Sequence, residues 1–161
     1  METANATELL RLRLPASHES VPTARQLLVW ALRRGNGQEL VDTAALCLTE
    51  LLANAVNAVQ IHSTAPRDED LTVVVSRDEE CVRIAVTDPV PELPVAREAG
   101  DWDENGRGLA LLAALATAWG SVPLGEEKTV WCDLPSHQTA QPTIKRSPVC
   151  HQIHGSSASR W

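Results

Sequence analysis

Glu50, Asn54 and Asn57 interrupt an apolar helical pattern in the run Glu50-Leu51-Leu52-Ala53-Asn54-Ala55-Val56-Asn57. Their types and spacing suit proton transfer and cation binding. At 3.6 residues per turn, the segment from Val41 to Val59 places Val41, Ala45, Leu48, Leu52, Ala55 and Val59 in one stripe, with Ala44 at its edge. The three polar residues fall on the opposite face. Asn is a mediocre helix former, because its amide competes for backbone hydrogen bonds, so two of them within two turns suggest use. Glu50 and Asn54 are four residues apart and therefore stack one above the other. A carboxylate next to a carboxamide offers a proton acceptor beside a neutral oxygen ligand for a hard cation such as Mg2+. Taken alone, the helix is described more simply as amphipathic with a solvated polar face.

Asp88 is the second candidate. In the run Cys81 to Asp88, alternation sets Val82, Ile84 and Val86 on one face and Arg83, Ala85 and Thr87 on the other. Asp88 shares the parity of the valines, so a carboxylate is carried on the core-facing side at the end of a strand. Burying it without a partner is costly. It either caps backbone N–H groups in the turn at Pro89 or meets a ligand that carries donors, and strand parity alone favours the turn. The third candidate is Gly106-Arg107-Gly108-Leu109. Two glycines at the mouth of a helix let backbone N–H groups approach a phosphate, and the helix N-terminus favours the anion. A single Gly-x-Gly is more often a plain loop-to-helix turn. The chain has no P-loop pattern, and its glycines do not follow a strand, which removes the dinucleotide-binding fingerprint.

The elements that must position these residues follow from periodicity and turn residues. Leu9 to Leu14 alternates Leu with Arg and predicts a half-buried strand. Ser20 is a cap for a helix over 22–34, which Gly35-Asn36-Gly37 ends. The asparagine-bearing helix spans 39–59. Strands over 71–76 and 81–88 form a hairpin around Arg77-Asp78-Glu79-Glu80. Residues 89–105 carry three prolines and no apolar period, which reads as a lid. A helix from Leu109 to about Trp119 follows, then a hairpin of 122–124 with 128–134. Trp30, Trp119 and Trp131 sit in apolar patterns and are expected in the core. Adjacent strands joined by short turns predict a mixed, mostly antiparallel sheet covered on one face by about three helices, a two-layer α/β sandwich.

The chain has 161 residues, enough for one domain with a real core, and no Phe or Tyr, so that core is built from Leu, Val, Ala and Ile. All 21 acidic residues lie at or before Asp133, while three of the 14 basic ones, Lys145, Arg146 and Arg160, lie beyond Pro135. The body to Pro135 thus carries −10 and the remainder +3. So acidic a body repels a phosphate backbone and argues against direct nucleic-acid binding. No stretch reads as a membrane span or a signal peptide, and the scattered cysteines read as small buried hydrophobes, which together predict a cytoplasmic protein. The expected organisation is one domain over 1–135 and a flexible basic tail over 136–161. Cys150, His151, His154 and His137 lie in that tail without the paired spacing of a zinc site.

Glu50 and Asn54, then Asp88, then the Gly106–Leu109 run occur in order, with a proline-bearing lid between the last two. Together with Trp119-Gly120 and Lys128-Thr129-Val130-Trp131, they resemble the ATP-binding domain of gyrase-type, chaperone, histidine-kinase and mismatch-repair ATPases. Within that superfamily the chain is similar to the small bacterial anti-sigma-factor serine kinases and their actinobacterial relatives. The resemblance implies a Bergerat-type fold, ATP and Mg2+ as ligands, and partner switching with a sigma factor or an anti-sigma-factor antagonist. It also implies homodimerisation. By the same resemblance Asn54 would hold Mg2+, Glu50 would be the general base, and Asp88 would accept from the adenine amino group. Gly106, Arg107, Gly108 and Leu109 would wrap the phosphates, and Thr129 would assist from the last strand. Two positions depart from the family pattern. Val90, between Pro89 and Pro91, replaces the usual small residue, and by strand parity Lys128 rather than Thr129 shares the face of Val130 and Cys132. These departures leave open a second reading, a regulator that binds nucleotide or has lost it and acts by sequestering its partner.

Overall fold

The computed structural model describes residues 6–35, 37–92 and 104–136, with only the backbone of 104–107. The predicted lid lies mostly outside these residues, as do Trp102 and the whole tail beyond Ser136. The elements run β1 (Thr7–Pro15), α1 (Ser20–Arg34), a 3-10 turn (Gln38–Leu40), α2 (Val41–His62), a second 3-10 turn (Pro66–Asp68), β2 (Asp70–Arg77), β3 (Cys81–Asp88), α3 (Glu104–Leu115), β4 (Ala118–Leu124) and β5 (Glu127–Pro135).

The five strands form one sheet in the order β1-β2-β3-β5-β4, with every described pairing antiparallel. The period of two decides which face is buried. Leu71, Val73 and Val75 of β2, Val82, Ile84 and Val86 of β3, and Val130, Cys132 and Leu134 of β5 all point under the helices and are at most 2% exposed. Their sequence neighbours point to the other face. There the Arg83 guanidinium forks onto Asp133 at 2.6 and 2.7 Å and lies 4.2 Å over the Trp131 ring. Gly120 lies close against that ring, where a Cβ would stand 3.0 Å from it and press the ring aside. This is the two-layer α/β sandwich that the sequence predicts, with a wholly antiparallel sheet.

α2 is the centre of the helical layer, in contact with α1, α3, β3 and β5. Its buried set is wider than the predicted stripe and adds Cys47, Leu51 and Val56. With the preceding turn, α2 is long and apolar enough to cross a membrane by length and composition. Most of its apolar residues instead lie in the core cluster between the sheet and its neighbours, with Leu46 and Ile61 exposed, so the hydropathy is that of a central core helix.

Three expectations are corrected. The last helix runs over Glu104–Leu115 rather than from Leu109 to Trp119. It stops because Thr117 turns the chain, giving both its N–H and its hydroxyl to the Asp133 carbonyl at 2.9 and 3.0 Å. Trp119 and Gly120 then pair with Cys132 and Trp131 as part of β4. The alanine-rich run over 113–118 favours helix locally, and pairing with β5 overrides it. Trp131 lies on the outer face of the sheet under Arg83 rather than in the core, and Trp30 is 56% exposed rather than core. Trp30 lies off the buried stripe of α1 (Ala24, Leu28, Ala31 and Leu32), and the Arg34 guanidinium sits 4.8 Å from its ring centre. Ser20 is the first residue of α1 rather than its cap; its hydroxyl donates to the Pro15 carbonyl at 2.8 Å.

Candidate functional site

Glu50 and Asn54 occupy successive turns of α2 and are half-buried rather than solvated. The cause is α3, which packs across this face. Gly108 lies so close to Glu50 that a Cβ there would stand 2.6 Å from Oε2. That contact explains a glycine inside a helix, where it weakens the helix by about 1 kcal/mol relative to Ala. Leu109, beside it, is 6% exposed and belongs to the core cluster, so its side chain anchors α3. Gly106 and Arg107 lie in the first turn and a half of α3 rather than ahead of a helix. The Asn54 Nδ2 is buried and has no hydrogen-bond partner among the described residues. A buried donor without a partner is destabilising, unless a ligand completes it.

Asp88 ends β3 on the core-facing side, as its parity predicts, and is 1% exposed. Its Oδ1 accepts from Lys128 Nζ at 2.8 Å and from the Val90 N–H at 3.1 Å. Lys128 also donates to the Val90 carbonyl at 3.0 Å. The other oxygen, Oδ2, is buried and has no partner among the described residues. Burial pushes the Asp88 carboxyl above the ordinary carboxylate range; the Lys128 hydrogen bond and charge and the Val90 N–H oppose that push, and Glu127 adds to it. Asp88 therefore fills the turn role that the sequence allowed. One oxygen holds the turn after β3, and the other is left over.

The structure does not bring Thr129 to this place. Thr129 pairs with Thr87 across the sheet, and their hydroxyl oxygens are 2.7 Å apart on the face away from Asp88. Lys128, its neighbour, points inward and is 1% exposed. Parity alone puts Lys128 on the inner face, but does not by itself mark it as a site residue. The missed signal was a cation at an inward position directly across the sheet from an inward carboxylate. Asn57 is half-buried on the same face of α2 as Asn54.

The orphaned atoms and the close helix fit a nucleotide bound with a cation. Asn54 presents an amide whose nitrogen suits a phosphate oxygen; turned over, its oxygen suits Mg2+. Asp88 Oδ2 suits a donor on a base. Gly108 brings the backbone of α3 close to Glu50. Among the described residues no group of three or more His, Cys, Asp and Glu side chains could hold a metal.

Such an arrangement, on an antiparallel sheet roofed by three helices, defines a nucleotide-binding α/β sandwich of the ATPase type. Residues 14–131 match the family described as the histidine kinase-like ATPase domain, and the chain belongs to that family. Membership implies ATP binding, usually with Mg2+. Over 53 residues the chain is also 47% identical to an uncharacterised protein of Streptomyces coelicolor. That match covers 32% of this chain and spans half the length of the relative.

Proposed function

We propose that the protein is an ATP- and Mg2+-binding regulator that phosphorylates a serine on a protein partner, in the manner of an anti-sigma-factor kinase acting on transcription. The observation that carries the nucleotide part is the pair of buried, unpartnered atoms, Asn54 Nδ2 and Asp88 Oδ2. Asp88 accepts a hydrogen bond from the adenine amino group. Asn54 is the residue that would hold Mg2+, which would neutralise charge on the phosphates. Glu50 takes the proton of the serine hydroxyl as its oxygen bonds to the γ-phosphorus. The bond from that phosphorus to the bridging oxygen breaks, and ADP leaves. Positioning and charge neutralisation are most of what phosphoryl transfer needs. The resemblance at Glu50, Asn54, Asp88 and Gly106–Leu109 supports a partner among sigma factors and the antagonists of anti-sigma factors. The acidic body supports control through a protein rather than through DNA.

Calorimetric titration with ATP, with Mg2+ and with EDTA, tests the site. The wild type binds ATP more tightly with Mg2+, and Asn54→Ala loses that gain. If the wild type binds no ATP under either condition, the reading fails. Gly108→Ala tests the helix contact. A carboxylate is the mobile end of its side chain, so the new methyl displaces Glu50 while the backbone stays. The melting temperature moves by only a few degrees, since Ala gains about 1 kcal/mol in helix propensity over Gly. Transfer to the partner falls at least about tenfold, as expected when a general base is misplaced. Unchanged transfer would show that Glu50 need not sit where it does.

A second reading is favoured by Val90, which is 2% exposed. Both its N–H and its carbonyl are tied to the Asp88–Lys128 pair. A base end stiffened in this way suits a regulator that binds nucleotide and sequesters its partner without turnover.

A further inference from the structure

Lys128 is a buried charged group at the base end to which neither the family nor the proposed chemistry gives a task. Its side chain is 1% exposed and that of Asp88 is 0% exposed. Ions buried this deeply are expensive, and apolar residues of similar volume usually serve stability as well or better. An ion pair kept only for structure would satisfy both carboxylate oxygens. Here Lys128 and the Val90 N–H both converge on Oδ1, and Oδ2 is left unpartnered among the described residues. Two of the three Lys128 N–H donors are engaged, one on Asp88 and one on the Val90 carbonyl. The backbone just after β3 is thereby clamped and the free oxygen held in one place.

We infer that Lys128 sets the choice of nucleobase: by holding Asp88 as an acceptor-only carboxylate, it makes the site take a 6-aminopurine and refuse a 6-oxopurine. This rests on Asp88 being the base contact of the nucleotide site proposed above. An ionised carboxylate can only accept, whereas a carboxylic acid carries a donor as well. Adenine presents an N–H donor at position 6, and hypoxanthine presents a carbonyl there. Against an ionised Oδ2, the amine makes a charge-assisted hydrogen bond and the carbonyl sets lone pair against lone pair. Burial favours the neutral acid, and the acid would accommodate the 6-oxo group. The charge on Lys128 opposes that protonation. The other charged group acting on Asp88 is Glu127, also on β5, and it favours the acid.

The test compares binding of Mg-ATP and Mg-ITP, which differ only at the 6-position edge of the purine, to the full chain and to two variants. Lys128→Gln keeps amide N–H donors for Asp88 and Val90 but removes the charge. Lys128→Arg keeps the charge. The wild type should prefer ATP by at least about tenfold, as expected where a site is built to hydrogen-bond one edge. Lys128→Arg should retain a preference, and Lys128→Gln should lose most of it, through weaker ATP binding together with ITP binding that is unchanged or tighter. An ATP-to-ITP ratio that is the same in Lys128→Gln as in the wild type overturns the inference and leaves the nucleotide site standing. A wild type that binds neither nucleotide overturns the site itself. Should Lys128→Gln fail to fold, the wild-type preference between pH 8 and pH 6 decides. It stays constant if Asp88 is held ionised, and a collapse toward pH 6 overturns the inference.

Discussion

Glu50→Gln keeps Mg-ATP binding and loses phosphoryl transfer to a protein serine by about 10^2- to 10^4-fold, the span typical of removing a general base. The substitution keeps the length and shape of the side chain, so the close approach of Gly108 to the carboxylate end survives. α2 keeps its buried apolar face, because Leu51, Leu52, Ala55 and Val56 carry the packing. Only the ability to take a proton is lost. The measurement is labelling of candidate antagonist proteins with γ-labelled ATP, with nucleotide affinity measured in parallel. Equal transfer by the variant and the wild type would remove Glu50 from the chemistry. If the wild type binds ATP and labels no antagonist, while Glu50→Gln retains its regulatory effect, the sequestering reading replaces the kinase.

Lys128→Met is expected to destabilise the fold by about 3–5 kcal/mol, the range for removing one partner of a buried ion pair. That is a large part of the total stability of an ordinary domain. The damage comes from Asp88, left buried beside the Val90 N–H with no cation. Its carboxyl, already held above the ordinary range by burial, rises further in the folded state. A folded-state pKa raised above the unfolded value means that the folded protein binds more protons between those two values. Stability of the variant therefore falls as pH rises from the ordinary carboxylate range through the raised pKa. Its deficit relative to wild type is smaller near pH 5 than near pH 8. Adding Asp88→Leu to Lys128→Met removes the stranded charge and should restore most of the loss. The double variant would then be well folded and unable to bind adenine nucleotide. Denaturant melts of the single and double variants at the two pH values check this. A double variant no more stable than Lys128→Met would mean that the pair itself holds the fold.

Much of the sheet was legible in the chain. β3 was expected over Cys81–Asp88 and lies there, because strict alternation of apolar and polar residues admits only one burial of a half-covered strand. The same rule placed Asp88 and Lys128 on the inner face before any contact was known. α2 was equally plain from its 3.6-residue period, though its buried set was underestimated, since a period shows the direction of one neighbour and α2 has neighbours on three sides. α3 was misplaced at both ends. Glycines near its start read as a break, and alanines at its end read as more helix. Local propensity weighs less than about 1 kcal/mol per residue and yields to a tertiary contact. At one end that contact is with Glu50, and at the other it is the capture of the Asp133 carbonyl by Thr117.

The site shows the same division. By itself the chain determined which residue types lie on which face: a carboxylate and an amide one turn apart on a helix, and an inward aspartate at a strand end. Those are properties of spacing, and spacing is written in the order of residues. Only the tertiary structure decided that α3 lies over Glu50, that Thr129 turns away to meet Thr87, and that Lys128 takes one oxygen of Asp88 and leaves the other. Such facts depend on which elements pack together and in what register. A buried charge finds its partner only there, because the penalty for leaving it alone arises only once water has been excluded.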